Sequence, residues 1–137
     1  MIILYASQHG NAKSIAEEIY SNLNNNTIQL LSLDESLHLF KDIDSLNNEY
    51  IIFVVSTTGN GDIPTNGERW WKFIKNRKLD VNYCNNIKFE LIALGDSNYN
   101  EFCGAGKKIY KRLKQLKAES LHDMITIDDV DGDYEEK

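Results

Sequence analysis

The sequence predicts an open α/β sheet of parallel strands with helices wound onto both faces, and three observations predict it. Apolar runs are short and nearly continuous: residues 2–6 (IILYA), 50–55 (YIIFVV) and 89–94 (FELIAL). Strands buried on both faces read this way, because helices cover each side of a parallel sheet. Segments of helical period lie between the runs, and that alternation is the pattern of doubly wound sheets. Finally, polar loops containing glycine break the hydrophobic pattern where strands end and helices begin.

Taken in order, the first run predicts a strand over 2–6. A helix follows over 12–23, where Ile15, Ala16, Ile19, Tyr20 and Leu23 fall on one face. Asn24 to Asn26 read as a loop, and Thr27 to Leu31 as a weaker second strand. A weaker helix over about 35–46 carries Leu37, Leu39, Phe40 and Ile43. The second run is the third strand. Residues 67–76 form a helix bearing Trp70, Trp71, Phe73 and Ile74. The third run is the fourth strand, and Ala105, Ile109, Leu113 and Leu116 align on a helix over 104–117. Ser120 to Ile127 is a weaker fifth strand. Right-handed crossovers place these helices on both faces. Such sheets bind ligands beyond the carboxyl ends of their strands, where the strand order reverses. The loops to inspect are therefore 7–12, 56–66 and 95–103.

Composition narrows the class. The 137 residues suit one domain, 1–137, with a single core. The net charge of −6 argues against nucleic acid or an anionic membrane as main partner, and suits equally docking to a basic protein or simple solubilisation. Cys84 and Cys103 form no CxxC pair and no metal-type cluster with the three histidines, so reduced thiols and no metal are expected. The first residues lack a basic signal region, and no apolar run nears the ~20 residues of a membrane span. A cytoplasmic monomer is the expectation.

The first loop reads Ser7-Gln8-His9-Gly10-Asn11-Ala12 and enters a helix N-terminus, where backbone N–H groups and the helix dipole favour an anion. It has no lysine and no GKS/T, so it is no nucleotide-triphosphatase loop; a phosphomonoester held by neutral donors fits, as does a plain strand–helix turn. The second loop, Ser56-Thr57-Thr58-Gly59-Asn60-Gly61-Asp62-Ile63-Pro64, has two glycines that let a ligand press against the chain, or make a long turn. The third runs from Gly95 to Ala105 and sets Tyr99 among small and polar residues, to stack on a planar ligand or to cover the core edge.

Together, and at these intervals, the hydroxyl-rich first loop, STTGNGD and LGDSNYNEFCGAGK resemble the flavodoxin superfamily over nearly the whole chain. The segment GDSNYNEFCGA looks much like the flavin loop of short-chain flavodoxins. The string STTGNGDIPTNGERWWKFIKNRKL resembles the FMN domain of the diflavin reductase serving iron–sulfur assembly. LYASQHGNAKSIAEEI and FCGAGKKIYKRLKQL resemble methionine synthase reductase, and cytochrome P450 reductase is similar more loosely.

The resemblance implies a five-stranded parallel sheet of order 2-1-3-4-5 whose last helix is missing or truncated. It implies one FMN. Ser7, Gln8, His9, Gly10, Asn11 and Ala12 would enclose its phosphate, and Ser56 and Thr57 would donate near the phosphate and ribityl chain. Thr58 and Gly59 would lie against the ring, and Asn60 and Gly61 of the same loop would belong to the cofactor site. Leu94, Gly95 and Asp96 would line the ribityl and pyrimidine side, with Asn98 beside them. Tyr99 would stack on the ring, with Phe102 and Cys103 near its edge. Two positions depart from the pattern: Thr58, where many relatives have an aromatic, and His9, where many have threonine. The first implies a ring face with less stacking and a lower FMN affinity; the second adds an imidazole that can be positive.

No residue need act as a catalytic acid, base or nucleophile, since a flavin carries its own redox chemistry. The Gly59 peptide can turn either way against the ring at low cost. Asp62, Asp96, Glu101 and an acidic tail would disfavour negative charge on the flavin and steer a basic-faced redox acceptor. Six of the residues 128–136 are acidic. Electrons would arrive from an FAD/NADPH reductase module, in cis or in trans. Other readings are a free-standing flavodoxin, a flavin-dependent quinone reductase, and a protein-binding module without flavin. A response-regulator receiver is excluded, because strand one ends in Tyr5-Ala6-Ser7 without acidic residues.

Overall fold

The computed structural model describes residues 1–98 and 102–128. Its elements are β1 (Ile2–Ala6), α1 (Asn11–Leu23), β2 (Gln29–Ser32), α2 (Leu37–Lys41), β3 (Tyr50–Val55), α3 (Glu68–Ile74), β4 (Lys88–Gly95), α4 (Gly104–Gln115), β5 (Glu119–Ser120) and β6 (Ile125–Asp128). All strands are parallel, in the order β2-β1-β3-β4-β5, with β6 also on β4. The strand order reverses between β1 and β3, so the loops after β1, β3 and β4 emerge together at the carboxyl end of the sheet.

Alternation along the strands sorts side chains onto two faces. One face packs Ile2, Leu4, Phe53, Phe89 and Leu91 against Leu37 and Phe40 of α2, Trp70 and Ile74 of α3, and Ile109 and Leu113 of α4. Its centre is aromatic: Trp70 meets Phe40 edge-on at 5.3 Å and Phe53 at 5.9 Å, and Phe53 meets Phe89 edge-on at 5.9 Å. The other face packs Ile3, Val54 and Leu94 against Ala12 and Ala16 of α1.

Two weaker elements differ in detail from the sequence reading. The helix expected over 35–46 is three pieces: a 3-10 turn at Asp34–Ser36, then α2, then a 3-10 turn at Ile43–Leu46. Asp42 breaks the chain by leaving helical geometry (φ −109°, ψ 71°). The fifth strand is split into β5 and β6. Residues 121–124 bridge the two, while only Glu90 and Leu91 separate the matching positions on β4, so the extra chain leaves the sheet. The expectation that the last helix is missing or truncated falls on 129–137, outside the described residues.

Candidate functional site

The first loop is closed by its own serine. The Gly10 N–H donates to Ser7 Oγ (2.9 Å), and the Ser7 N–H donates to Asn66 Oδ1 (2.9 Å). Gly10 then starts α1 at φ 91°, which a side chain would resist. A Cβ there would meet nothing within 4 Å, so the loop is open on that side. No side chain caps α1, and Ser14 is the first residue whose N–H bonds back, to the Gly10 C=O (2.8 Å). The N–H groups of Asn11, Ala12 and Lys13 are left without an acceptor among the described residues, at the positive end of a 13-residue helix.

The second loop starts beside the first. The Ser56 N–H donates to the Ala6 C=O (2.9 Å), extending the β1–β3 ladder beyond both strands. Ser56 is buried, and its Oγ has no hydrogen-bond partner among the described residues. A buried hydroxyl without a partner costs about 1–3 kcal/mol, so such a group in a native fold calls for an explanation. (The other described atom of this kind is Nε1 of Trp70, whose ring packs on Phe40 and Phe53.) Thr57 Oγ1 accepts the Ala105 N–H (3.2 Å), joining the loop to the start of α4. Thr58 and Asp62 then exchange backbone bonds (3.0 and 2.7 Å), closing a five-residue loop with Gly59 and Gly61 at positive φ. Lys108 on α4 donates Nζ to the Gly61 C=O (2.8 Å).

The third loop is pinched shut at its base. A Cβ on Gly95 would lie 2.4 Å from the Cys103 backbone nitrogen, so only glycine admits this approach. Cys103 is fully buried, with its thiol directed to the Ala93 C=O (3.4 Å). Asn98 N–H donates to Asp96 Oδ1 (2.8 Å), and Ser97 N–H to Asp128 Oδ1 (3.2 Å). Phe102 is half-buried with Lys107 Nζ 5.8 Å above its ring. Tyr99 and Glu101 lie outside the described residues, as does the acidic segment after Asp128.

The three loops thus meet at the carboxyl end of the sheet, tied by Ser56–Ala6, Ser7–Asn66 and Thr57–Ala105 bonds. Gln8, His9, Gly59, Asn60 and Asn98 are exposed there; Ala12, Leu94 and Cys103 are buried, so only their backbones can reach a ligand. Sequence reasoning missed Asn66 and Lys108. Asn66 stands in an Asn-Gly turn pair, which was a usable signal; Lys108 had none, because a lysine on a helix is ordinarily a solvated charge.

A doubly wound sheet of this strand order, with a helix N-terminus uncapped at its switch point, is a flavodoxin-like fold. These residues fit FMN: neutral donors for a phosphate, and two glycine-bearing loops for a planar ring. No metal-type cluster occurs among the described residues, and no helix among them is long and apolar enough to cross a membrane.

The flavodoxin family model matches residues 3–137, and the chain belongs to that family. Its cofactor is FMN. The chain is 38% identical to methionine synthase reductase of Bos taurus over 135 residues, covering 96% of this chain and 19% of that protein. It is 35% identical to the sulfite reductase [NADPH] flavoprotein alpha-component of Baumannia cicadellinicola over 135 residues, covering 98% of this chain and 22% of that protein. It is 34% identical to NADPH-dependent diflavin oxidoreductase 1 of Emericella nidulans over 130 residues, covering 88% and 18%. The chain therefore spans about a fifth of the length of the curated relatives it matches. It is homologous to the FMN domains of diflavin reductases. Among solved structures, a cysteine-to-alanine mutant of flavodoxin from Pseudomonas aeruginosa superposes with a TM-score of 0.74 at 25% identity, over 94% of this chain and 83% of that one.

Proposed function

We propose that this chain is a domain that holds one FMN across its three loops and passes electrons singly from an NADPH-dependent reductase module to a protein acceptor. The observation that carries the reading is the buried, unpartnered hydroxyl of Ser56, whose backbone is bonded to Ala6 at the head of the loop that enters the uncapped N-terminus of α1. Both stand ready for the same anion, and a phosphomonoester satisfies both.

The roles divide by loop. The N–H groups of Asn11, Ala12 and Lys13 and the hydroxyls of Ser7 and Ser56 hold the phosphate, with Gln8, His9 and Gly10 around it. Thr57 donates near the ribityl chain. Thr58, Gly59, Asn60 and Gly61 form one wall of the ring site, and Leu94, Gly95, Asp96, Asn98, Tyr99, Phe102 and Cys103 the other. Leu94, Cys103 and Ala12 act through their backbones. FMN, when bound, supplies one- and two-electron redox chemistry; the protein positions it and controls access. The acceptor on the acidic side is a basic-faced protein, drawn by the carboxylates of 128–136.

Titration of the purified chain with FMN, followed by quenching of flavin fluorescence, tests this directly. Saturable one-to-one binding at micromolar FMN or below is expected. Ser56→Ala should weaken it about 10-fold, the scale of a hydrogen bond to a charged group. The same change should leave the stability of the flavin-free chain unaltered or slightly raised, because the hydroxyl has no partner to lose. Absence of binding by the unmodified chain would sink the reading.

A further inference from the structure

Charge on this chain is divided by region. Twelve of the 15 lysines and arginines fall between Arg69 and Lys117, with only four of the 21 carboxylates. That stretch carries a formal charge of plus eight, and the remainder minus fourteen. Its two helices, α3 and α4, are neighbours on one face: Arg112 of α4 donates Nε to the Ile74 C=O (2.8 Å) and Nη2 to the Asn76 C=O (2.9 Å) at the end of α3. Lys72, Lys75, Lys78, Lys108 and Lys111 are exposed on it. None of them is ion-paired among the described residues, whose pairs are Met1–Glu49 and His122–Glu90.

The basic face reaches the flavin loops. A groove of about 680 Å³ runs between α3, α4 and the 58–62 loop, lined by Lys72, Lys75, Lys108, half-buried Trp71, Thr58 and Gln8. The carboxylates Asp62 and Glu68 also line it. Its far wall is therefore the loop assigned to the ring, held to α4 by the Lys108–Gly61 bond. Crowding like charges on one surface costs stability by self-repulsion, and an oppositely charged protein relieves it.

We propose that the α3–α4 face docks an acidic redox protein, with lysines 72 and 75 meeting its carboxylates and Trp71 as the apolar anchor. The partner would then sit against the 58–62 loop. The identification of the partner as a redox protein rests on the flavin reading above; the face and its sign do not.

The test titrates the 15N-labelled, FMN-loaded chain with ferric cytochrome b5, an acidic haem protein, and in parallel with basic cytochrome c. Amide shifts with cytochrome b5 should map to α3, α4 and 58–62. Its affinity should fall about 10-fold or more between about 20 and 200 mM salt, as the Debye length shortens. Lys72→Glu with Lys75→Glu should weaken cytochrome b5 about 10-fold and leave cytochrome c no weaker. Shifts that map elsewhere, or an affinity unmoved by charge reversal, would overturn the proposal. The mapping on the unmodified chain decides the matter even if the variant does not fold. The visible flavin spectrum separates the two readings: no bound flavin counts against the proposed function, and bound flavin without this docking counts against the face alone.

Discussion

The two faces of the sheet are built to different standards. On the face under α2, α3 and α4, every large side chain at the centre is sealed, and four aromatics interlock. On the α1 face, Ile3 and Val54 are fully buried but Tyr5 and Ile52 on the same strands are only half-buried, and cover stays thin towards β6. Ile92 and Ile127 are half-buried there, and Ile125, paired with Ile92, is 48% exposed. The difference teaches where stability resides. The aromatic face carries the larger share of the packing that holds the strands together, and the ligand loops hang from the end of that sheet.

The largest effect that can break this comparison is Trp70→Ala. Trp70 is fully buried and touches Phe40 and Phe53, and its backbone N–H is held by Asp34 Oδ1 (2.9 Å). Deleting the ring should cost about 3–5 kcal/mol of unfolding free energy, read from urea denaturation. A cost under about 1 kcal/mol would mean that the aromatic face is not the stabilising one.

Gly95→Ala comes next. The new methyl would meet the Cys103 backbone rather than a flexible side chain, so neither β4 nor α4 can yield cheaply. Overpacking of this kind costs about 1–3 kcal/mol. Because the clash pries open the third loop, FMN affinity should fall with stability. Calorimetric unfolding with and without FMN checks both, and an unchanged Tm would show that the loop base is not closed as described.

Cys84 sharpens the comparison through pH. It lies wholly within the aromatic face, and burial pushes its thiol up to about 12 from an ordinary value of 9.0, with Arg112 pulling the other way. A raised folded pKa leaves stability intact below the unfolded value and erodes it above, since only the unfolded thiol ionises in that window. Stability should therefore fall between about pH 9 and 12, by about 1 kcal/mol at pH 10 from this group. Cys84→Ala should remove that part of the slope. The same burial should keep Cys84 unreactive toward thiol reagents at pH 7 until the chain unfolds.

Much of this was legible in the sequence, for a reason visible in particular residues. The runs 2–6, 50–55 and 89–94 and the helix stripes of α1 and α4 owe their pattern to burial, and burial is what periodicity reports. The three loops were legible as departures from that pattern. The fragmentation around α2 was not, because Asp42 leaves helical geometry without a proline or glycine to announce it. Nor was the break between β5 and β6, which depends on a mismatch in length against β4. Asn66 and Lys108 act on backbone groups far along the chain, Ser7 N–H and Gly61 C=O. No local pattern encodes such contacts, so they belong to the fold and not to a motif.

The smallest effect is the most discriminating. Ile125 lies on the thinner face, near the edge of the sheet, and nearly half of it is exposed. Ile125→Ala removes methyl groups that water already reaches and opens no enclosed cavity, so the cost should be under about 1 kcal/mol. Urea denaturation beside Trp70→Ala gives the ratio of the two faces in one experiment. A loss of about 2 kcal/mol or more, the range of a buried isoleucine, would mean that the α1 face is closed in solution by something packed on Ile125. The asymmetry between the faces would then vanish. A small loss, with FMN binding unchanged, would place the stability on the aromatic side of the sheet and leave the site, which begins at α1, independent of the Ile125 edge.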